Sequence, residues 1–257
     1  MDNRPIGVMD SGVGGLTVAR VLHEKYPEEG IVFVGDSERN PYGERSREEI
    51  ARFSEEMKSF LLRKNVKMIL IACNTISFNV PPSFFEGTVT VVKMSTHIHL
   101  PQGKGSVGIF ATPASIRTHS HRKAMESAYP ERTFLEVPCD GVAAAIEQGE
   151  EENVIVALVQ KSAMEYHALG IDAGYWACTH YPLAPGAFRK VFPGVPFIDP
   201  ALPTVEEGMD ILRKSGSLAD RQGERYFYFT DGLNHAMPLV TKLFGPAVVE
   251  KANLLGV

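Results

Sequence analysis

Two cysteines in this chain stand in matching surroundings. Cys73 ends the apolar run of KMILIACNT and Cys178 ends that of AGYWACTH, with small polar residues directly behind each thiol. Both runs are typical of buried parallel strands, and ligands of doubly wound folds bind at the carboxyl ends of such strands. The pattern therefore predicts two thiols at ligand-binding strand ends.

Two thiols facing one cleft are suited to proton transfer at a carbon atom. An enzyme that inverts a carbon centre removes a proton from one face and returns a proton to the other, and two acid–base groups can do this without a cofactor. A thiol can serve when its pKa is lowered or when a neighbour takes its proton. Asp10 is the candidate assistant for Cys73, and His180 is the candidate for Cys178.

A structural explanation competes with the chemical one for each of these residues. A lone cysteine after an apolar run is usually a small buried residue, and an aspartate such as Asp10 is often a helix N-cap or turn residue. The matching contexts of Cys73 and Cys178 favour a catalytic role for both thiols over a structural one. Cys139, in VPCDG, has no counterpart and is interpreted as structural. The histidines without a clear partner are expected at the surface or between domains: His97, His99, His119 and His121.

The elements that must position these residues alternate between strands and helices. Strands are predicted at residues 5–10, 30–36 and 66–73, with helices at 16–27 and 46–65 between them. Apolar residues share one face of the second helix, and the alternation predicts a parallel sheet covered by helices. The turn SGVGG is too loose for a dinucleotide fingerprint, and its backbone N–H groups are instead candidates for binding a small anion.

The second half of the chain repeats the plan of the first. SVGIFATPASIRTHSHRKAM resembles PIGVMDSGVGGLTVARVL, and IDAGYWACTH resembles VKMILIACNT. Asp10 and Cys73 are 63 positions apart, while Ala111 and Cys178 are 67 apart. This near-equal spacing predicts two related α/β halves, connected by residues 96–105. The helix NHAMPLVTKLFG is predicted to close the chain.

Composition and charge exclude several classes of protein. The 257 residues are 44% hydrophobic and 22% charged, as expected for a soluble globular protein of one large or two small domains. The net charge of −5 argues against nucleic-acid binding, and no apolar run is long enough to span a membrane. The N-terminus lacks the apolar core of a signal peptide, so a cytoplasmic location is expected. Neither a disulfide framework nor a zinc site is indicated.

Four motifs together resemble those of the glutamate racemases. GVMDSGVGGLTV, GDSERNPYG, IACNT and ACTHYPL match the family's motifs in order and at fitting distances, and RYFYFTDGLNHAMPLVTKLFG is similar to its last strand and helix. The resemblance covers nearly the whole chain. It implies a cytoplasmic, cofactor-independent isomerase that supplies D-glutamate for bacterial peptidoglycan, and so serves cell-wall biogenesis and cell shape.

The resemblance also implies a role for each matching residue. Cys73 and Cys178 match the two catalytic thiols, which act as base on the D-enantiomer and the L-enantiomer, respectively. Asp10 matches the assistant of the first thiol and His180 that of the second, while Glu147, in AAIEQG, matches a glutamate near the second thiol. No metal or other cofactor is implied. The implied substrate contacts are Asp10, Ser11, Pro41, Tyr42, Gly43, Asn74, Thr75, Thr112, Ser115, Thr179 and His180.

The chain departs from the family pattern at several places. Ala111 and Ala177 stand where the family usually has glycine. VVKMSTHIHLPQG lacks a common Glu-Pro-Gly, SFNVPPSFFEG replaces a more alanine-rich helix, and IDP replaces a common IDS. These departures affect the connection between the halves and the shape of the pocket, and they leave the catalytic positions unchanged.

We therefore expect an α/β fold of two pseudo-symmetric doubly wound domains with parallel central sheets and an active site in the interdomain cleft. Residues 1–94 plus 206–257 would form the first domain and residues 95–205 the second. The expected partner is a small-molecule substrate, glutamate, rather than nucleic acid or membrane. A homodimer is compatible with the sequence, which does not determine the oligomeric state.

Three other functions stay open at this point. An aspartate or related amino-acid racemase would use the same two thiols in a tighter pocket. A thiol hydrolase with Cys178 as nucleophile and His180 as its partner leaves Cys73 and Asp10 unexplained. A non-catalytic acid-binding protein would have no need of both thiols with their assistants.

Overall fold

The computed structural model describes residues 1–103, 105–166 and 169–255. Within these residues, ten strands and ten α-helices alternate along most of the chain. The strands are β1 Ile6–Asp10, β2 Ile31–Gly35, β3 Met68–Ile71, β4 Thr90–Val92, β5 Ser106–Ala111, β6 Thr133–Pro138, β7 Ile171–Ala177, β8 Phe197–Ile198, β9 Arg225–Phe229 and β10 Val248–Lys251. The helices are α1 Leu16–Lys25, α2 Arg47–Arg63, α3 Asn74–Asn79, α4 Pro113–Thr118, α5 Ser120–Ala128, α6 Val142–Glu147, α7 Glu152–Ala163, α8 Pro185–Val191, α9 Ala201–Lys214 and α10 Leu233–Phe244.

The first sheet has six parallel strands in the order β10-β9-β2-β1-β3-β4. Its central strands β1, β2 and β3 are buried along their whole length. Continuous apolar runs of this kind form when helices cover both faces of a parallel sheet. Asp10 is the last residue of β1, and Cys73 follows two residues after the end of β3. The sheet thus brings both residues to its carboxyl edge.

The second sheet has four parallel strands in the order β6-β5-β7-β8. Here β5 lies between β6 and β7, just as β1 lies between β2 and β3 in the first sheet. The two alanines that depart from the family's glycines, Ala111 and Ala177, pair with each other across β5 and β7. Cys178 follows directly after β7. The predicted α/β fold with two pseudo-symmetric parallel sheets is confirmed.

Helix α9 joins the core of the first sheet. It packs against α1 and β3, and its residues Ala201 and Val205 are buried in that core. The predicted domain boundary between residues 205 and 206 falls inside this helix, so we propose that the chain returns to the first domain before Ala201. The remaining limits of the two domains stay a prediction.

The prediction that a helix closes the chain was wrong. Strand β10 follows α10 and pairs with β9 at the edge of the first sheet. Most of its residues are exposed, so its apolar pattern is too weak to indicate a strand. Residues 93–103 form neither helix nor strand, as expected of the connection predicted at 96–105, in which Lys104 lies outside the described residues. Among the described residues, no helix is both long enough and apolar enough to cross a membrane.

Candidate active site

The carboxyl ends of the two sheets meet at a narrow cavity, and both predicted thiols line it. The cavity encloses about 20 Å³, which is room for about one water molecule. Any ligand of amino-acid size is larger, so binding requires the two halves to move apart. The lining residues are Ser11, Asn40, Pro41, Tyr42, Gly43, Cys73, Asn74, Thr75, Thr112, Ala143, Cys178, Thr179 and His180.

Cys73 directly precedes the short helix α3, as its N-cap residue, and its side chain is buried in the first wall of the cavity. The Ser11 hydroxyl lies 3.5 Å from the Cys73 sulfur and donates to Oδ1 of Asp10 over 3.1 Å. Asp10 is therefore linked to the thiol through Ser11. Burial, and then the Asp10 carboxylate, raise the pKa of Cys73 to about 12, so the sulfur carries its proton at neutral pH.

Asp10 is fully buried and is held from both halves of the molecule. Its Oδ1 accepts the backbone N–H of Gly12 at 3.0 Å, and its Oδ2 accepts the hydroxyl of Thr179 at 2.8 Å. Burial raises the pKa of Asp10 to about 6, against the opposing effects of His180 and of the Thr179 hydrogen bond. A carboxyl group with a pKa near the working pH can accept a proton and return it, as the assistant of a base must do.

Cys178 has an imidazole as its neighbour. Its sulfur lies 3.9 Å from Nδ1 of His180, whose Nε2 lies 2.6 Å from Oε2 of Glu147. Burial lowers the pKa of His180, but the hydrogen bonds to Cys178 and Glu147 outweigh burial and hold that pKa well above its ordinary value. An imidazolium beside a sulfur stabilises the negative charge of a thiolate. The two thiols thus have chemically different neighbours.

Glu147 connects His180 to the first half of the molecule. Its Oε2 also accepts the backbone N–H of Val13 at 2.8 Å, and its Oε1 accepts the Ser37 hydroxyl at 2.6 Å. Although burial raises the pKa of Glu147, the hydrogen bond from His180 and the other donors hold it below its ordinary value. The ionised carboxylate therefore balances the charge of His180 and orients its ring.

The glycine turn after β1 lets the second half approach. A Cβ atom at Gly12 would overlap the Glu147 carboxylate, and one at Gly14 would overlap the His180 ring. Glycine has no Cβ, so the backbone of the turn can lie directly against these two side chains. The N–H group of Val13 was a candidate for holding a small anion, and the anion that it holds is the protein's own Glu147.

Three hydroxyl groups form a cluster that joins the two halves. Oγ1 of Thr75 lies 3.0 Å from Oγ1 of Thr112 and 3.4 Å from Oγ of Ser115, and the latter two lie 3.1 Å apart. Thr112 caps α4, where its side chain accepts the backbone N–H of Ser115. A hydroxyl group can donate or accept, so this cluster can turn its hydrogens toward a carboxylate.

The segment from Pro41 to Gly43 contributes backbone rather than a phenol to the cavity. The Tyr42 hydroxyl donates to the Asp36 carboxylate, which also accepts from Arg39 and Thr230. The ring of Tyr42 is buried in the first core. Its polar end is thus bound elsewhere, and the residue can reach a ligand through its main chain.

All predicted site residues lie at this cavity or directly behind its wall. Those behind the wall are Asp10, Ser115 and Glu147, which contact lining residues. The catalytic and substrate-binding roles stay predictions. Sequence reasoning missed Asn40, which lines the cavity and donates to the Ser11 carbonyl at 3.0 Å. The sequence could have indicated Asn40, because this residue directly precedes Pro41 in the motif NPYG.

The four histidines lie at the surface or between the halves, as predicted, but three of them have partners that the sequence does not indicate. His97 and His119 are exposed, as expected, but each lies within 3.0 Å of a glutamate carboxylate. His121 is buried between the halves, where it bonds to Asn74. Cys139 is a buried free thiol that donates to a backbone carbonyl, in keeping with its structural interpretation.

A larger cavity of about 530 Å³ lies away from these residues, between the loop after β2 and the end of the chain. It is lined by Arg39, Glu56, Thr230 and Lys251, among others, and by neither thiol. The smaller cavity is the candidate active site, because the two thiols and His180 converge there.

Comparisons with known proteins give one consistent result. A glutamate racemase of Lactobacillus helveticus is 33% identical over 238 residues, which are 90% of this chain and 89% of that protein. The crystal structure of a glutamate racemase from Bacillus anthracis matches with a TM-score of 0.87 at 28% identity, over 99% of both chains. That of a Francisella tularensis glutamate racemase in complex with D-glutamate matches with a TM-score of 0.85 at 29% identity, again over 99% of both chains. No protein-family model matches the chain.

Proposed function

The chain belongs to the glutamate racemase family, and we propose that it interconverts L-glutamate and D-glutamate with Cys73 and Cys178 acting on opposite faces of the α-carbon. One observation carries this mechanism. The two thiols, each with its own assistant, line one cavity at corresponding strand ends of two similar sheets. The reaction is an isomerisation, in which one proton is removed and another is added.

In the direction from L to D, Cys178 is the base. The imidazolium of His180 stabilises the Cys178 thiolate, which removes the α-proton of the substrate. Cys73 is protonated at neutral pH because its pKa is about 12, so it donates its proton to the opposite face of the planar carbanion. Exchange with solvent through the assistants then restores both sulfurs.

In the direction from D to L, Cys73 must first lose its proton. Ser11 connects its sulfur to Asp10, whose carboxylate is the acceptor for that proton. The transfer is uphill, because the pKa of Cys73 is about 12 and that of Asp10 about 6. Cys178 then donates to the other face. Because the two sides use a carboxylate and an imidazole, the pH profile of kcat/KM should report both groups, and it should be the same in the two directions because the equilibrium constant between enantiomers is one.

The donors around the cavity suit a substrate with two carboxylates. The hydroxyl cluster of Thr75, Thr112 and Ser115 and the amide of Asn74 lie on one side, and the main chain of residues 41–43 lies on another. We propose that these groups hold the two carboxylates and leave both sulfurs free to reach the α-carbon. Hydrogen bonds to ionised groups are the stronger kind, so small neutral donors suffice.

The first prediction tests the reaction itself. Purified protein, with a chelator present and no cofactor added, is expected to convert L-glutamate to D-glutamate in D2O. Because the acid and the base are different groups, the D-glutamate formed early should carry deuterium at the α-carbon while the remaining L-glutamate retains protium. Loss of activity on dialysis that pyridoxal phosphate or a metal ion restores would contradict the cofactor-independent mechanism.

The second prediction concerns the size of the substrate. A ligand that binds only the folded protein at 100 times its Kd stabilises it by about 2.7 kcal/mol, or roughly 5 to 10 °C in Tm for a chain of this size. L-glutamate is expected to raise the Tm in this way, and aspartate to raise it less at equal concentration. Equal or greater stabilisation by aspartate in a thermal-melting series would favour an aspartate racemase.

We further propose a cytoplasmic enzyme that supplies D-glutamate for peptidoglycan and so supports cell-wall synthesis and cell shape. The support is the family membership together with the family role that the sequence motifs imply. Depletion of the protein in its host should then be relieved by external D-glutamate. Sedimentation analysis with and without glutamate would distinguish a monomer from the homodimer considered above.

A further inference from the structure

His121 is a buried histidine that neither thiol uses. It lies in α5 of the second half with 2% of its surface exposed, and its Nε2 lies 2.9 Å from Oδ1 of Asn74 in the first half. Asn74 directly follows Cys73 and lines the cavity. The hydrogen bond therefore crosses between the halves and ends on a residue next to the proposed base.

The nitrogen end of the Asn74 amide lacks a hydrogen-bond partner within the described part of the chain. Its Nδ2 atom is buried and has no hydrogen-bond partner among the residues that the structure describes. A buried amide nitrogen without a partner is costly in a folded protein, so such a group calls for an explanation. The location of Asn74 in the cavity wall supplies one, because a bound anion there would accept these two N–H groups.

The surroundings of His121 hold its ring in place. Its ring centroid lies 4.2 Å from that of Phe78 and 5.8 Å from that of Tyr175. Burial, with a smaller effect of Lys93, lowers the pKa of His121 to about 3, so the ring is neutral at physiological pH and carries a single N–H. That N–H can lie on the nitrogen that faces Asn74 or on the other one.

The two tautomers of His121 turn opposite ends of the Asn74 amide toward the cavity. With the hydrogen on Nε2, His121 donates to the Asn74 oxygen and the amide N–H groups face the cavity. With Nε2 bare, the amide must donate to it, and the Asn74 oxygen faces the cavity instead. Only the first arrangement attracts a carboxylate, whereas the second repels it.

We propose that His121 is a positioning residue that donates to Asn74 and thereby holds the amide N–H groups toward the α-carboxylate of the substrate. The proposal rests on the function proposed above. The α-carboxylate is the relevant one, because Asn74 adjoins the sulfur that must reach the α-carbon. The bond also links the two halves, so the donor is fully aligned when the cleft is closed.

Two variants of His121 test this inference, because their side-chain amides differ in length by one methylene group. In His121→Gln the side-chain nitrogen can occupy the place of Nε2, whereas in His121→Asn it is too short. We expect the KM for L-glutamate to rise roughly 10-fold in His121→Asn and to stay within about threefold of wild type in His121→Gln, with kcat less affected. His119 is an exposed residue that directly precedes the same helix, so His119→Asn is the control and should leave both constants unchanged.

A double-mutant cycle separates positioning from general destabilisation. If His121 acts through Asn74, then His121→Asn should raise KM by less than about twofold when Asn74 is already alanine. An independent tenfold rise in that background, or equal KM values for His121→Gln and His121→Asn, would overturn the inference. Absence of wild-type turnover would instead overturn the proposed function.

A measurement on the wild-type protein covers the case in which the variants do not fold. A long-range 1H–15N spectrum distinguishes a protonated ring nitrogen from a bare one. The inference requires the hydrogen of His121 on Nε2. A bare Nε2 in the glutamate-bound enzyme would overturn it.

Discussion

Replacement of Cys73 by serine is expected to lower the rate of racemisation roughly 1,000-fold, and replacement of Cys178 by serine should do the same. A serine hydroxyl is far less acidic than a thiol and stays un-ionised near neutral pH, and a neutral alcohol is a far poorer base than a thiolate. Racemisation needs one group on each face of the α-carbon, so loss of either thiol blocks both directions. The rates of L-to-D and D-to-L conversion, measured by circular dichroism, test this directly.

Cys139 provides the matched control for these variants. It is a third buried free thiol, and its sulfur donates to the Val137 carbonyl, which a serine hydroxyl can also do. Cys139→Ser should therefore retain the activity of the wild type, whatever its effect on stability. Full racemase activity in Cys73→Ser would show that Cys73 is a buried small residue and would contradict the mechanism.

The second large effect is expected for Asp10→Asn, which should reduce activity and increase stability. Asparagine cannot take the proton of Cys73, so kcat/KM should fall about 100-fold, and equally for both enantiomers because their equilibrium constant is one. The hydrogen bonds can be kept, since an amide oxygen can accept from Gly12 and an amide N–H can donate to the Thr179 hydroxyl. The gain in stability comes from removing a buried carboxylate.

The sign of the stability change follows from the shifted pKa. Burial raises the pKa of Asp10 from its ordinary value of 3.8, which applies to the unfolded chain, to about 6 in the folded protein. Below about pH 4 the carboxyl group is protonated in both states and costs nothing, whereas above pH 6 the folded state must hold the charge at a cost of about 3 kcal/mol. The advantage of Asp10→Asn should therefore grow as the pH rises from 4 through 6.

Asp199 offers a control for this pH dependence. Burial also raises the pKa of Asp199, whose carboxylate accepts the backbone N–H of Ala201 outside the cavity. Asp199→Asn should share the direction of the stability change and keep full activity. Urea denaturation of both variants at pH 4.5 and pH 8 measures the difference. If the Asp10→Asn protein is less stable than wild type at pH 8, the claim that the ionised Asp10 carboxylate destabilises the folded state is wrong.

The thiols and their strands could be predicted because the relevant patterns are local. The apolar runs before Cys73 and Cys178 indicate buried strands, and parallel strands bring their carboxyl ends together. The positions of Asp10 and His180 follow from the same rule. Family motifs then supplied Glu147, whose contact with His180 no periodicity would indicate.

Contacts between the halves could not be predicted in this way. His121 and Asn74 are 47 positions apart, and only the packing of α5 against the first half brings them together. The hydrogen bond of the Tyr42 hydroxyl to Asp36 lies within the first half, and the motif that places Tyr42 at the cavity does not indicate it either. Strand β10 could not be predicted because an exposed edge strand lacks the apolar pattern of a buried one.

The central claim is that the two sulfurs face opposite sides of one carbon, and elimination from a β-substituted glutamate tests it most directly. Elimination of the leaving group needs only one base, so each serine variant should still react with the enantiomer whose α-proton faces its remaining thiol. The mechanism predicts that Cys178→Ser consumes the D-form and Cys73→Ser consumes the L-form. If both variants prefer the same enantiomer, the sulfurs do not face opposite sides and the two-base mechanism is wrong.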